Sequence, residues 1–123
     1  MRDYPFATFR IEMTPGKRLG PGKIRLLELV DKTGSISAAA REMKMSYRRA
    51  WLLIEESNTL FSARLVESAT GGAGGGGARL TELGTAVIAA YRSIETEMTS
   101  LVAKFPGVTV IRSAASARRL KRP

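Results

Sequence analysis

The stretch "SISAAAREMKMSYRRAWLLIEESNTLF", Ser35 to Phe61, decides how this chain folds. Ser37 is placed to cap a short helix running through Met43, and Ser46 to cap a second ending near Ser57 or Phe61, because a hydroxyl can accept from the unpaired N–H groups of a first turn. Only "KMS" separates the two, so the helices turn sharply and touch. Ala39, Ala40 and Ala50 offer the small surface a steep crossing needs, and Met43, Met45 and Ile54 fill the space around it. Short helix, tight turn, longer helix is a helix-turn-helix, a unit that lays its second helix in a DNA major groove.

The residue types on that second helix suit the task. With Ala50, Ile54 and Phe61 facing a core, Arg48, Arg49, Leu52 and Glu55 lie on other faces, and Tyr47 and Trp51 stand one turn apart. Arg can grip guanine O6 and N7 bidentately or hold a phosphate, and Tyr can donate to a phosphate or pack on a thymine methyl. The candidate DNA contacts are therefore Lys44 in the turn, Ser46 at the cap, and Tyr47, Arg48, Arg49 and Trp51. Each has a plainer reading: adjacent arginines can be a solvated face, and a lone Trp at helical spacing is more often core than contact.

Downstream, "RLVES" (Arg64 to Ser68) reads as a strand and "ARLT" from Ala78 as its return, with a glycine run from Gly71 to Gly77 between them. A P-loop needs a Lys after its glycines, and none is present here. Gly72, Gly74 and Gly77 satisfy G-x-G-x-x-G, but a glycine run matches that pattern by chance and a dinucleotide fold needs a larger sheet than this chain can supply. A domain linker fits poorly, since the rest of the chain reads as one helix and a tail. The remaining reading is a β-hairpin whose tip needs φ > 0 at several positions and approaches something large. Directly after a helix-turn-helix such a hairpin is a wing, here about residues 64–80. Its bare N–H groups suit phosphates, and Thr70, Gly71 and Arg79 are its candidate contacts.

Upstream, "FATFRIEMT" (Phe6 to Thr14) alternates partly between apolar and polar, which suggests a half-buried strand, and "PGKRLGPG" then breaks the chain. Ile24, Leu26, Leu27 and Leu29 or Val30 form a stripe at helical spacing that ends at Gly34, a first helix.

Composition bounds the alternatives. The chain has 123 residues, 44% hydrophobic and 25% charged, the profile of one soluble globular domain. It has no cysteine and no histidine, which removes thiol nucleophiles, disulfides, Cys/His zinc sites and His-based triads. Glu55, Glu56 and Glu67 suggest no shared pocket, so no enzymatic activity is expected. "MRDYPFATFR" lacks the apolar core of a signal peptide and no run is long enough to span a membrane, so the expected location is the cytoplasm with no membrane partner. Lys and Arg exceed Asp and Glu by twenty to eleven, a net charge of +9 that favours a polyanionic partner. Arg118, Arg119, Lys121 and Arg122 carry four of those nine charges, leaving +5 on the body.

The residues also resemble a known family. "GSISAAA", "SYRRAW", "LVESATGG" and "GGGGARLTELG" together closely resemble the DNA-binding domain of ModE-type molybdate-responsive transcription regulators, from about Phe9 to about Phe105. The helix-turn-helix is also similar to that of LysR-type regulators. The resemblance implies a dimeric regulator of double-stranded DNA in which "SYRRAW" reads the groove and the glycine-tipped wing lies on the backbone. Full-length members carry C-terminal domains that bind molybdate or tungstate, and this sequence is not expected to include a counterpart to them. The expectation is therefore no cofactor, with any effector either absent or supplied by a separate effector-binding protein.

The last predicted helix supports a homodimer independently. Leu83, Val87, Ala90, Ile94, Met98 and Leu101, then Phe105, recur at three- and four-residue steps after a start at Thr81 and Glu82. So long a stripe exceeds what a small winged domain covers alone, although a helix folded back on its own domain is the competing reading. The expected architecture is mainly α with a small β-hairpin: a winged helix-turn-helix over residues 1–80, a long dimerisation helix over 81–105 in the same unit, and a basic tail over 106–123. The expected function is sequence-specific transcriptional regulation, related through the resemblance to molybdate transport or molybdenum enzymes. An architectural protein that binds DNA by charge alone is the alternative.

Overall fold

The structure, a computed structural model, describes residues 6–69 and 77–121. They fall into two compact units: residues 9–91, and residues 6–8 with 92–121.

The first unit begins with a hairpin, β1 (Ile11–Thr14) and β2 (Lys17–Leu19), which pairs Ile11 with Leu19 and Glu12 with Arg18. Pro15 and Gly16 turn it, with Gly16 at φ 79°, the conformation a Pro-Gly turn takes at its second central position. The sequence reading runs this strand from Phe6 to Thr14, whereas β1 spans only Ile11–Thr14, and it takes "KRL" only as part of a break. Three residues between Pro/Gly pairs are too few for a period to register.

Helix α1 (Pro21–Thr33) starts with Pro at its first position, where the missing N–H is not needed, and ends at Gly34, whose φ of 71° closes a left-handed cap onto the Val30 carbonyl. Helix α2 (Ile36–Glu42) follows at once. Its cap is Ser35, which accepts from the Ala38 amide at 3.1 Å, and not Ser37, which lies exposed within the helix. The earlier start lets Ile36 pack against the core from the first turn. Helix α3 (Tyr47–Thr59) is capped by Ser46, as the sequence indicates, through the Arg49 amide at 3.1 Å.

The wing strands β3 (Val66–Ala69) and β4 (Gly77–Leu80) pair antiparallel from Val66–Leu80 to Ala69–Gly77. The core lies between α1, α2, α3 and the wing root. Leu26, Leu27, Val30, Ala39, Ala40, Ala50, Ile54 and Leu65 are each at most 2% exposed. The three alanines are buried in this core, where small side chains let packed helices approach closely.

Helix α4 (Glu82–Lys104) begins within this unit, with Thr81 as its cap: the hydroxyl accepts from the Gly84 amide and donates to the Arg64 carbonyl. Its first three turns close a second cluster around Leu19, Ile24 and Tyr91. The Tyr91 ring stacks on Phe9 with centroids 4.4 Å apart, and its hydroxyl donates to the Phe9 carbonyl at 2.6 Å.

The second unit contains the remainder of α4 and helix α5 (Val108–Lys121). The Ala7 amide donates to the Thr99 hydroxyl, and Arg92 pairs with Glu95 at 2.8 Å. Phe105, Pro106 and Gly107 turn the chain into α5, where Val108 is buried and Val110 and Ile111 are exposed. The sequence reading ends the dimerisation helix at Phe105 and gives 106–123 only as a basic tail, whereas α5 occupies Val108–Lys121. No helix among the described residues is long and apolar enough to cross a membrane.

Candidate nucleic-acid interface

The turn between α2 and α3 fixes where the second helix begins. Lys44 takes φ 56°, its amide donates to the Arg41 carbonyl, and the Met45 amide reaches back to the Ala40 carbonyl at 3.0 Å. This pair of bonds is a Schellman motif built on a lysine where glycine is usual. It satisfies the last carbonyls of α2 and delivers Ser46 directly to its capping position.

On α3, Ala50, Ile54, Ser57 and Asn58 turn inward. At 3.6 residues per turn, Arg48 and Leu52 then stand opposite that buried stripe, with Tyr47 and Trp51 on one flank and Arg49 on the other. Tyr47, Arg48, Arg49, Trp51 and Leu52 are all exposed, as are Lys44 and Ser46. Trp51 is 43% exposed, so the core reading of this residue is replaced by a solvent-facing ring one turn beyond Tyr47.

The wing is tied to α3 at its root. The buried Asn58 carboxamide accepts from the Leu65 and Val66 amides, and its Nδ2 donates to Glu55. Glu55 also receives the Arg64 guanidinium at 2.9 Å. The Glu55 carboxyl lies below its ordinary pKa, held there first by the Asn58 hydrogen bond and then by Arg64. Farther out, Arg79 on β4 pairs with Glu67 on β3 at 2.9 Å and remains exposed. Thr70 and Gly71 lie outside the described residues.

Between the Tyr47–Trp51 flank and β3 runs a cleft of about 300 Å³, whose walls include Ser37, Glu55, Arg64 and Glu67. Arg64 and Asn58 were not singled out by sequence reasoning. The signal for Asn58 is a polar residue in register with the buried stripe of α3; Arg64 gives no local signal, because its place depends on the wing folding back.

The described residues contain no group of three His, Cys, Asp or Glu side chains able to hold a metal ion. Glu55, Glu56 and Glu67 are each engaged with a cation, Arg64, Lys23 and Arg79 respectively.

Comparison with known proteins agrees with this geometry. The sequence pattern of bacterial regulatory helix-turn-helix proteins of the LysR family matches residues 22–85, just over half of the chain. The chain belongs to this family. The matched span runs from α1 to the first turn of α4, so it contains the capped α3 and the wing.

The chain is similar to the molybdenum-pterin-binding protein MopB of Rhodobacter capsulatus, 46% identical over 90 residues, 73% of this chain and 33% of the relative. It is also similar to the molybdenum transport protein ModE of Azotobacter vinelandii, 38% identical over 94 residues, 76% of this chain and 35% of the relative. A third relative is the DNA-binding transcriptional dual regulator ModE of Escherichia coli K12, 48% identical over 71 residues, 58% of this chain and 27% of the relative. The chain spans about a third of the length of these relatives or less.

Proposed function

We propose that this LysR-family chain acts as the DNA-binding part of a dimeric, sequence-specific transcription regulator of genes for molybdate transport or molybdenum enzymes. The observation that carries the reading is the outward face of α3. Arg48 and Leu52 stand opposite the core stripe, Arg49 and the Tyr47–Trp51 pair flank them, and all are solvent-exposed. A helix that only filled a core would have no need for two arginines in its first turn. Base edges in a major groove offer them bidentate acceptors, and phosphates on either side offer partners for Lys44, Ser46 and Arg79. The names of the relatives, which join DNA-binding regulation with molybdenum, support the choice of target genes.

A second copy of the chain is the proposed partner of α4. Leu83 and Val87 contribute to the core of the first unit, whereas Ala90, Ile94 and Leu101 farther along are exposed, as is Phe105 just after the helix. A two-fold dimer presents two copies of α3 and calls for a roughly palindromic site.

The test is selection of bound duplexes from a random library at near-physiological salt. The expected result is an enriched motif with two-fold symmetry, whose half-sites are one helical turn or a multiple apart. In that motif Arg48→Ala relaxes preference at one base position, at a cost of about 1 to 3 kcal/mol. Tight binding without enrichment overturns sequence specificity and leaves an architectural protein that binds by charge.

A further inference from the structure

The other flank of α3 carries a second recess that no sequence motif marks. It measures about 310 Å³ and lies between the first hairpin, the start of α1 and the start of α3. Arg10, Arg18, Lys23 and Arg49 line it, and no carboxylate does. The cleft on the wing side is different in kind, because Glu55 and Glu67 share its walls with Arg64.

The recess is built by local structure. Gly20 has no side chain, and a Cβ there would press on the stem of Arg10, at 2.9 Å from its Cγ. The glycine therefore lets Arg10 lie across the start of α1. Lys23 is held by the Arg18 carbonyl and by Glu56, both at 2.7 Å, with its side chain only 12% exposed. Arg18 pairs with Glu12 on the neighbouring strand. Arg10 and Arg49 have no carboxylate partner among the described residues. The first turn of α1 carries no acidic residue and no capping side chain, so the positive end of the helix faces the same space.

We propose that this recess receives a backbone phosphate of the same duplex that α3 reads, just outside the half-site, with Arg10 as its main side-chain donor. The inference rests on the DNA-binding reading of α3. Continuity argues for it: Arg49 belongs both to the first turn of α3 and to the recess, so a strand passing that turn meets Arg10 and Arg18 next. Arg10 and Arg49, which have no carboxylate partner among the described residues, beside Arg18 and Lys23, whose carboxylate partners lie outside the lining, favour a phosphate over a neutral or cationic partner. The hairpin and α1 thereby act as a second clamp, opposite the wing, and fix the register in which Arg48 meets the bases.

The experiment measures the affinity of the full chain for one fixed duplex, across a salt series, by fluorescence anisotropy. The variants are Arg10→Gln, Arg10→Lys, Arg25→Gln and Arg48→Ala. Arg25 lies exposed on α1 but outside the recess, so its removal changes net charge equally. The expected result is that R10Q lowers affinity and flattens the slope of log K against log salt by about one for each bound protomer. R10K and R25Q keep the slope of the parent. If R10Q binds as the parent does while R48A is impaired, the recess is not a phosphate site and the reading of α3 survives. Equal flattening by R25Q also overturns the inference, since net charge alone then explains the effect. Failure of the parent chain to bind any duplex removes the DNA-binding reading itself. If R10Q does not fold, Arg18→Gln on the exposed hairpin carries the same comparison.

Discussion

The Asn58 carboxamide oxygen accepts the Leu65 amide at 2.8 Å and the Val66 amide at 3.1 Å, so one buried side chain ties the end of α3 to the start of the wing. Both amides enter β3 from a loop and have no helical partner. Asn58→Ala leaves two buried donors unpaired and releases Glu55, which Asn58 also holds. The expected loss is about 2 to 4 kcal/mol, from a penalty of roughly 1 to 3 kcal/mol for each unsatisfied group, reduced where water enters. Urea unfolding should show a lower midpoint with an unchanged slope. A loss below about 0.5 kcal/mol would mean the two strands hold the wing root without Asn58.

Gly84 makes a second tie at the same place. A Cβ on residue 84 would fall on the Leu65 carbonyl oxygen, which is backbone and cannot swing aside. That carbonyl is also fixed by the Thr81 amide at 2.9 Å. Gly84→Ala gains helix propensity, worth about 1 kcal/mol, yet must push α4 from the wing root at about 1 to 3 kcal/mol. The expected balance is net destabilisation, read as a lower melting temperature. A higher one would show that α4 does not dock through this glycine.

These two ties explain which features the sequence reveals. Helix α3 is legible because its cap, its small contact residue and its buried stripe all lie within a short local window. The wing is legible because two apolar stretches flank a glycine run. The first hairpin is not, since β2 has three residues and gains its partner only when the chain doubles back at Pro15 and Gly16. In α4, Tyr91 is a fully buried side chain, while Ala90 is exposed. That difference depends on Phe9, far away in sequence, which supplies both the stacked ring and the carbonyl for Tyr91. Trp51 shows the same limit in the other direction, because its place beside the cleft next to β3, 43% exposed, does not follow from its spacing on the helix.

Acid should weaken the fold partly through Glu56. Its carboxyl lies below the ordinary value of 4.5, first because Lys23 donates a hydrogen bond to it. A group with a lowered folded pKa gives its full stabilisation above the unfolded value and loses it as pH falls through the folded one. Glu56→Gln should therefore cost stability at pH 7 and flatten the loss of stability below about pH 4.5. The carboxylate is 38% exposed, so solvent screening limits the effect to at most about 1 kcal/mol. Chemical unfolding at pH 7 and at successive steps down to pH 3 gives the comparison. Parallel profiles for parent and variant would remove Glu56 from the acid response.

Lys44 sets stability against binding. Its φ of 56° completes the Schellman turn, a conformation that costs an L-residue roughly 1 to 2 kcal/mol and glycine little. Lys44→Gly relieves that strain, although the added freedom of glycine in the unfolded chain returns about 0.4 to 1 kcal/mol. The expected outcome is a protein slightly more stable, by up to about 1 kcal/mol, with the Met45–Ala40 bond intact. DNA binding should move the other way if the exposed ammonium holds a phosphate beside α3. Affinity should then fall evenly across all sequences, with a salt slope about one unit shallower per protomer. Thermal unfolding and a salt series on the same variant separate the two effects. A variant more stable and equally tight on DNA would show that Lys44 makes no phosphate contact, whereas one less stable would mean the lysine stem packs favourably enough to outweigh its strain.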